Sequence, residues 1–347
     1  MTRGTRTRSS VLRLPGQGTV VLHRRSVAVT AALLVLAGAV TVVAVSVGNY
    51  DLGLRGVIDT IGGGGSATDR FIVLRQRLPR AAAALAVGAA LGLSGAIFQS
   101  MSRNPLGSPD IIGFTTGAST GGLVAILLTA APSTLSVTVG TLIGGFATAF
   151  AVILITVRRG VGGERLILAG IAVGAMLASV NDYLISRAPL ESAEAAKAWQ
   201  FGSLNAIGWN QVTPLLIATA VLLPAVFGIA RPARILELGD DAAAGLGVRV
   251  RRQRVMMAGL GVALAATAVA TAGPIGFLAL AAPQLARKLA CTPGIAFAPS
   301  IAMGALILAS ADVLAQRLLS PFQIPVGLVS AALGGVYLMW LLGFSRD

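Results

Sequence analysis

The chain has 347 residues, of which 55% are hydrophobic and only 12% charged, and its mean hydropathy is +0.83. Soluble domains carry roughly 25% charged residues, so a soluble globular fold is excluded and nearly all of the chain is expected in a bilayer. The formal charge of +14 would point to nucleic acid in a soluble protein, but here the arginines fall between apolar runs and read as topology signals, so no nucleic-acid partner is expected.

In chain order, residues 1–26 read as a basic polar arm that includes the single histidine, His23. The apolar run Val27–Val47 exceeds the roughly 7–15 residues of a signal-peptide core and lacks a convincing cleavage site, so it reads as an uncleaved first span. Residues 27–347 then read as one transmembrane domain. A spanning helix needs about 20 apolar residues, and ten segments qualify: 27–47, 80–101, 111–131, 135–157, 166–186, 211–230, 255–272, 275–290, 297–317 and 325–343. The eighth is short, and Gly273-Pro274 blurs its boundary with the seventh. Abundant Gly and Ala, interleaved with Leu, Ile and Val, suit membrane helices that pack closely. The fold class is therefore all-α and polytopic, with about ten transmembrane helices.

An even number of spans puts both termini on one side, and positive charge decides which side. One set of loops holds Arg103, Arg158, Arg159, Arg165, the cluster Arg231–Arg254, and Arg287 with Lys288, joined by the N-terminal arm and Arg346. The opposite loops are sparse in Lys and Arg, so both termini are expected in the cytoplasm of an inner (plasma) membrane protein. In the first external loop, Gly62–Gly65 reads as a flexible turn. Residues 187–210, with Glu191, Glu194, Lys197, Trp199 and Trp209, fit either an amphipathic helix anchored at the interface by its tryptophans or a plain connecting loop.

No catalytic set is present. There is no P-loop, no G-x-S-x-G and no paired carboxylate with a base, and one Cys (Cys291) with one His gives neither a disulfide framework nor a zinc site. The chain is not expected to be an enzyme or to bind a cofactor or metal. Mid-membrane ionisable groups, the mark of ion-coupled carriers, are few: Asp312, Asp182 and Arg287. Asp312 is read as an acceptor from a neighbouring helix, with a proton relay as the other reading. The largest element expected on the cytoplasmic side is a short helix over about 236–248, with Asp240 and Asp241 in its first turn and Gly245 and Gly247 at its end. It reads either as a lever for a cytoplasmic partner or as a helix on lipid headgroups.

At these residues the chain resembles the FecCD-type permeases, the membrane subunits of bacterial ABC importers for ferric siderophores, haem and vitamin B12. The resemblance runs from about Arg77 to Leu342 through RLPR (77–80), SGAIFQ (94–99), RNPLGSPDIIGF (103–114), LAGIAVGAML (168–177), W-x-x-GSLN (199–205), LGDDAAAGLGV (238–248), AGPIGFLALAAPQLAR (272–287), AD-x-x-AQ (311–316) and PVG (325–327). Each is weak alone, and nine in order are specific. NPLGSPDIIGF with GSLN and LGDD is most similar to the second permease subunit of ferric-enterobactin importers.

The resemblance implies the type II ABC importer permease fold and import of a ferric siderophore of the catecholate, enterobactin-like kind, with haem or vitamin B12 as the alternative cargo. It implies a second FecCD-type permease as partner (a heterodimer, with a homodimer as the other arrangement), two ATP-binding subunits that use the ATP, and an extracytoplasmic siderophore-binding protein. The cargo passage would follow the permease dimer interface. Arg77 and Arg80 match arginines that dock the binding protein in the vitamin B12 importer. A third docking arginine falls at Gln316, with Arg317 one residue out of register, about 100° around a helix. Asn104 and Leu106 match a cytoplasmic gate. A second gate, Ser-Thr-Ser in the vitamin B12 importer, corresponds to Gly162, Gly163 and Glu164. Leu238, Gly239, Asp240, Asp241, Gly245, Leu246 and Gly247 match the coupling helix that enters the ATPase. The family's common Pro-His is Pro283-Gln284 here.

Overall fold

Backbone groups in hydrocarbon have no water to bond, so a spanning segment satisfies them within helices, and the computed structural model is helical almost throughout. It describes residues 9–14, 18–48, 50, 52–129, 133–157, 163–292, 294–319 and 322–344. The expected N-terminal arm is the exception. Strand β1 (Ser9–Leu14) pairs antiparallel with β2 (Gly18–His23), Ser9 opposite His23. Val11, Leu12, Val20, Val21 and Leu22 supply the β-branched and apolar residues of these two short strands.

Helix α1 (Arg24–Ser46) begins three residues earlier than expected, and the Arg25 side chain bonds the Leu289 carbonyl. Two short helices follow, α2 (Gly53–Ile61) and α3 (Ala67–Arg70). The Gly62–Gly65 turn joins them and is held in place, because Ser66 and Asp69 form a capping box and Arg70 donates to the Gly63 and Gly64 carbonyls. A π-helical turn, Phe71–Arg77, leads without a break into α4 (Leu78–Ser102). Pro79 sits in the first turn of α4, at the junction with the π-helical turn.

The remaining helices are α5 (Phe114–Leu128), α6 (Thr134–Val157), α7 (Gly163–Arg187), α8 (Leu190–Gln200), α9 (Trp209–Gly228), α10 (Ala230–Leu236), α11 (Asp240–Gly245), α12 (Val250–Ala272), α13 (Leu278–Ala290), α14 (Phe297–Arg317) and α15 (Val326–Phe344). The ten apolar segments of the sequence correspond to α1, α4, α5, α6, α7, α9, α12, α13, α14 and α15. Among the described residues seven helices are long and apolar enough to cross a membrane by themselves, while α5 and α15 are shorter apolar helices.

Helices α5 and α13 have 15 and 13 residues. At 1.5 Å per residue both fall short of a hydrocarbon core of about 30 Å. The non-helical segments 103–113 and 273–277 precede them and meet: the Asp110 carboxylate accepts from the Phe277 amide and from Thr115 Oγ1 at 2.6 Å. The uncertain boundary between spans seven and eight is therefore a non-helical segment that ends at Phe277, with φ +65°.

Helix α4 is the centre of the molecule. The most apolar window of Ala67–Ser102 is 83% buried, against 22% for those of α7 and α9. The main apolar core joins α4 to α12, α13 and α14, and α6, α7 and α9 turn large side chains such as Phe150, Leu168 and Val221 outward. The amphipathic helix expected over 187–210 is α8. Its Trp199 packs with Leu123 and Ala196, whereas Trp209 is exposed and donates its indole N–H to the Leu74 carbonyl at 2.7 Å.

Candidate functional site

The fold sorts the expected functional residues to two opposite faces. The start of α4 and the end of α14 share one face; the end of α4, α10, α11, the start of α12 and the end of α13 share the other.

On the first face, a buried carboxylate organises the arginines. Asp312 lies in α14 and is 2% exposed, so it needs donors. Arg80 supplies them, with Nη2 2.9 Å from Oδ1 and its own side chain 14% exposed. Arg80 Nε bonds both carboxylate oxygens, Gln316 Nε2 donates to Oδ2 at 2.8 Å, and Arg80 Nη1 donates to Gln323 Oε1. Arg77 donates to the Val45 and Ser46 carbonyls at the end of α1 and to that of Tyr50. Arg77 and Arg80, expected as external docking charges, are thus seen to tie helices together. Arg317, at the end of α14, is exposed.

On the second face, Arg103 ends α4 in the left-handed conformation, φ 53°, and turns the chain into the 103–113 hinge. Asn104 Oδ1 accepts from the Leu106 amide at 2.9 Å, and Leu106 itself is exposed. Between these two expected gate residues, the Pro105 carbonyl accepts from Gln284 Nε2 at 2.8 Å, and Gln284 Oε1 accepts from the Tyr337 hydroxyl of α15. Gln284 thus fastens the hinge to α13 and α15. Of the second expected gate, Gly163 opens α7, whereas Gly162 lies outside the described residues.

The expected helix over 236–248 is shorter, confined to α11. Gly239 precedes it with φ +112° and Gly247 follows with φ +83°, both in the region that favours glycine. Asp240 and Asp241 fill its first turn, as expected, and Leu238 and Leu246 stand exposed at its two ends. Just before it, Glu237 accepts from the Ile295 amide at 3.2 Å. Burial raises the Glu237 carboxyl above its usual range, and the Ile295 amide bond, then the nearby Arg287 and Arg234, oppose that rise.

Asp240 is the most connected residue of the segment. Arg254 Nη2 lies 2.7 Å from its Oδ1 and Arg103 Nη2 3.8 Å from the same atom. Arg254 also donates to the Met101 carbonyl at 3.2 Å. The sequence does not mark Arg254 as functional, and it marks Gln284 only as the departure from the family's Pro-His. A signal existed for Arg254: if α12 starts at Val250, positions 254, 257, 258 and 261 share one face, and the other three are Met, Ala and Gly.

Known proteins resemble most of this architecture. A sequence profile of the FecCD transport family matches residues 33–344. The ferric enterobactin transport system permease protein FepG of Escherichia coli (strain K12) is 46% identical over 272 residues, 78% of this chain and 82% of that one. The probable siderophore transport system permease protein YfhA of Bacillus subtilis (strain 168) is 33% identical over 95% of this chain and 98% of its own. The hemin transport system permease protein HmuU of Yersinia pestis is 36% identical over 80% of this chain and 84% of its own. Among solved structures, an inward-facing metal-chelate type ABC transporter superposes with a TM-score of 0.82 at 26% identity, over 91% of this chain and 99% of that one.

Proposed function

The chain belongs to the FecCD transport family, and from that membership we propose that it is the permease subunit through which an ATP-driven importer passes a ferric siderophore of the enterobactin type. It is a multi-pass membrane transport component of an iron-chelate ABC importer rather than an enzyme. The observation that carries the choice of cargo is the 46% identity to a ferric enterobactin permease over 82% of that protein's length. The 36% identity to a hemin permease keeps haem as the alternative cargo.

In this reading the face of Arg77, Arg80 and Arg317 is extracytoplasmic and receives an acidic surface of the binding protein. The face of α11 is cytoplasmic and receives the ATPase, with Leu238 and Leu246 as its exposed apolar contacts. Both termini are cytoplasmic, and the positive charge of the α10–α12 region supports that orientation. Asn104 and Leu106 form the inner gate, with Gly162 and Gly163 as the second gate segment. A second FecCD-type permease completes the passage as a heterodimer. Iron crosses inside its chelate as cargo, so the permease needs no ligand for the metal and no cofactor of its own; the partner subunits use the ATP.

The test is uptake in proteoliposomes that contain this chain, its companion permease, the ATPase and the binding protein. Ferric enterobactin should accumulate only with ATP and an intact ATPase, and should outcompete haem. Uptake that persists without the ATPase would refute the importer assignment, and preferential uptake of haem would reassign the cargo.

A further inference from the structure

Four arginines stand between α11 and the body of α12, and they have different surroundings. Arg249, Arg251 and Arg252 are exposed. Arg254 is 5% exposed, on the face that carries Met257, Ala258 and Gly261 into the core. A buried guanidinium is costly unless it is paired and hydrogen-bonded. The partners of this one lie on two different elements: Nη2 holds Asp240 of α11 at 2.7 Å, and Nη1 donates to the Met101 carbonyl of α4 at 3.2 Å. Nε is buried without a hydrogen-bond partner.

The Met101 end of this link sits at the hinge. Carbonyls in the last turn of a helix lack intrahelical donors, and here the turn closes early. The Arg103 amide bonds the Ser100 carbonyl, and the Asn104 amide reaches back to Gln99. Arg254 therefore holds α4 one residue before it ends, three residues before Asn104. At the other end Asp240 is 41% exposed, so part of its carboxylate faces the surface that α11 presents. Displacing α11 by itself would strand a buried cation, whereas moving Arg254 along with it keeps the short charge-assisted bond. The Met101 carbonyl is then pulled or released with it.

We propose that Arg254 is the positioning residue that transmits displacement of the Asp240–Gly245 helix to the 103–113 hinge, through Asp240 on one side and the Met101 carbonyl on the other. The proposal rests on the importer reading, in which α11 receives the ATPase.

The experiment measures ferric-enterobactin uptake per ATP hydrolysed by the co-purifying ATPase, in proteoliposomes of the full complex. Arg254→Gln and Asp240→Asn should each lower that ratio by about tenfold, within the range of ordinary coupling free energies, and Arg254→Lys should recover part of it. Arg251→Gln, an exposed neighbour on the same helix, should match wild type. A wild-type ratio in Asp240→Asn overturns the proposal. So does an Asp240→Asn complex that loses the ATPase, since α11 would then serve only for docking. Should Arg254→Gln fail to fold, Asp240→Asn is read against Arg103→Gln, whose guanidinium lies 3.8 Å from the same Asp240 oxygen: a wild-type ratio in Arg103→Gln keeps the link with Arg254, and a ratio as low as that of Asp240→Asn overturns the proposal. A wild-type complex without ATP-dependent uptake is a different failure, because it removes the importer assignment itself.

Discussion

Arg80 and Asp312 are 232 positions apart and form the best-satisfied polar site on the first face. The sequence makes Asp312 visible as an acidic residue inside an apolar segment that calls for a donor on a neighbouring helix, and it makes Arg80 visible as a cation at a span boundary. It does not pair them, because pairing depends on which two helices lie side by side. The structural pairing separates two roles that a docking arginine combines. Removing Arg80 leaves Asp312 buried and uncompensated, so Arg80→Ala should cost about 3–5 kcal/mol, read as a lower denaturation midpoint of the detergent-solubilised protein. Arg80→Met with Asp312→Leu should recover most of the loss, since a well-packed apolar pair replaces a buried ion pair at little cost. An unchanged midpoint in the single variant would mean that solvent or lipid headgroups already satisfy the carboxylate.

At the scale of elements, membrane helices have no hydrophobic drive toward each other and depend on close backbone approach. The seam between α4 and α14 shows this at glycine positions. A Cβ on Gly88 or Gly92 would meet the backbone of Gly304 or Ser300, and one on Gly304 would meet the Gly88 carbonyl. A Gly/Ala-rich span that must pack tightly was legible in residues 80–101; its partner was not, because small residues mark a contact without naming the other side. Gly304→Leu should force the two helices apart and lower both the yield and the melting midpoint of the purified complex, whereas Gly259→Ala, where added atoms meet open space, should be neutral. Equal midpoints for the two variants would remove the seam as a determinant of stability. The element boundaries moved in both directions. Hydropathy discards turns that carry arginines, so α12 gains five residues containing Arg254, and it takes in apolar residues that are not helical, so α13 loses three to the segment that ends at Phe277. Segments that are not helical, such as 103–113, have no periodic signature, so the bonding of Asp110 to Phe277 and Thr115 emerges only in three dimensions.

Across the whole molecule, charge and connectivity separate the two faces that the importer reading gives to the binding protein and to the ATPase. Arg317 is exposed at the end of α14, one turn beyond the Asp312 pair. Arg80 is held in a fixed orientation beside it by Asp312 and Gln323. In the importer reading, an acidic partner approaching this face meets the exposed Arg317 next to Arg80, whose charge Asp312 largely neutralises, and next to the half-buried Arg77, so most of the long-range attraction is expected from Arg317. Rim charges act mainly on association rate and are screened by salt, with a Debye length of about 30 Å at 0.01 M and about 3 Å at 1 M. Arg317→Glu should slow association of the binding protein with the nanodisc-embedded complex by about tenfold at low salt, and the difference from wild type should vanish near 1 M. Arg251→Glu, on the opposite face, should leave association unchanged at every salt concentration. Identical low-salt rates for Arg317→Glu and wild type would move the dock away from the end of α14, toward Arg77 and the segment that precedes it, and equal slowing by Arg251→Glu would reduce the effect to net charge.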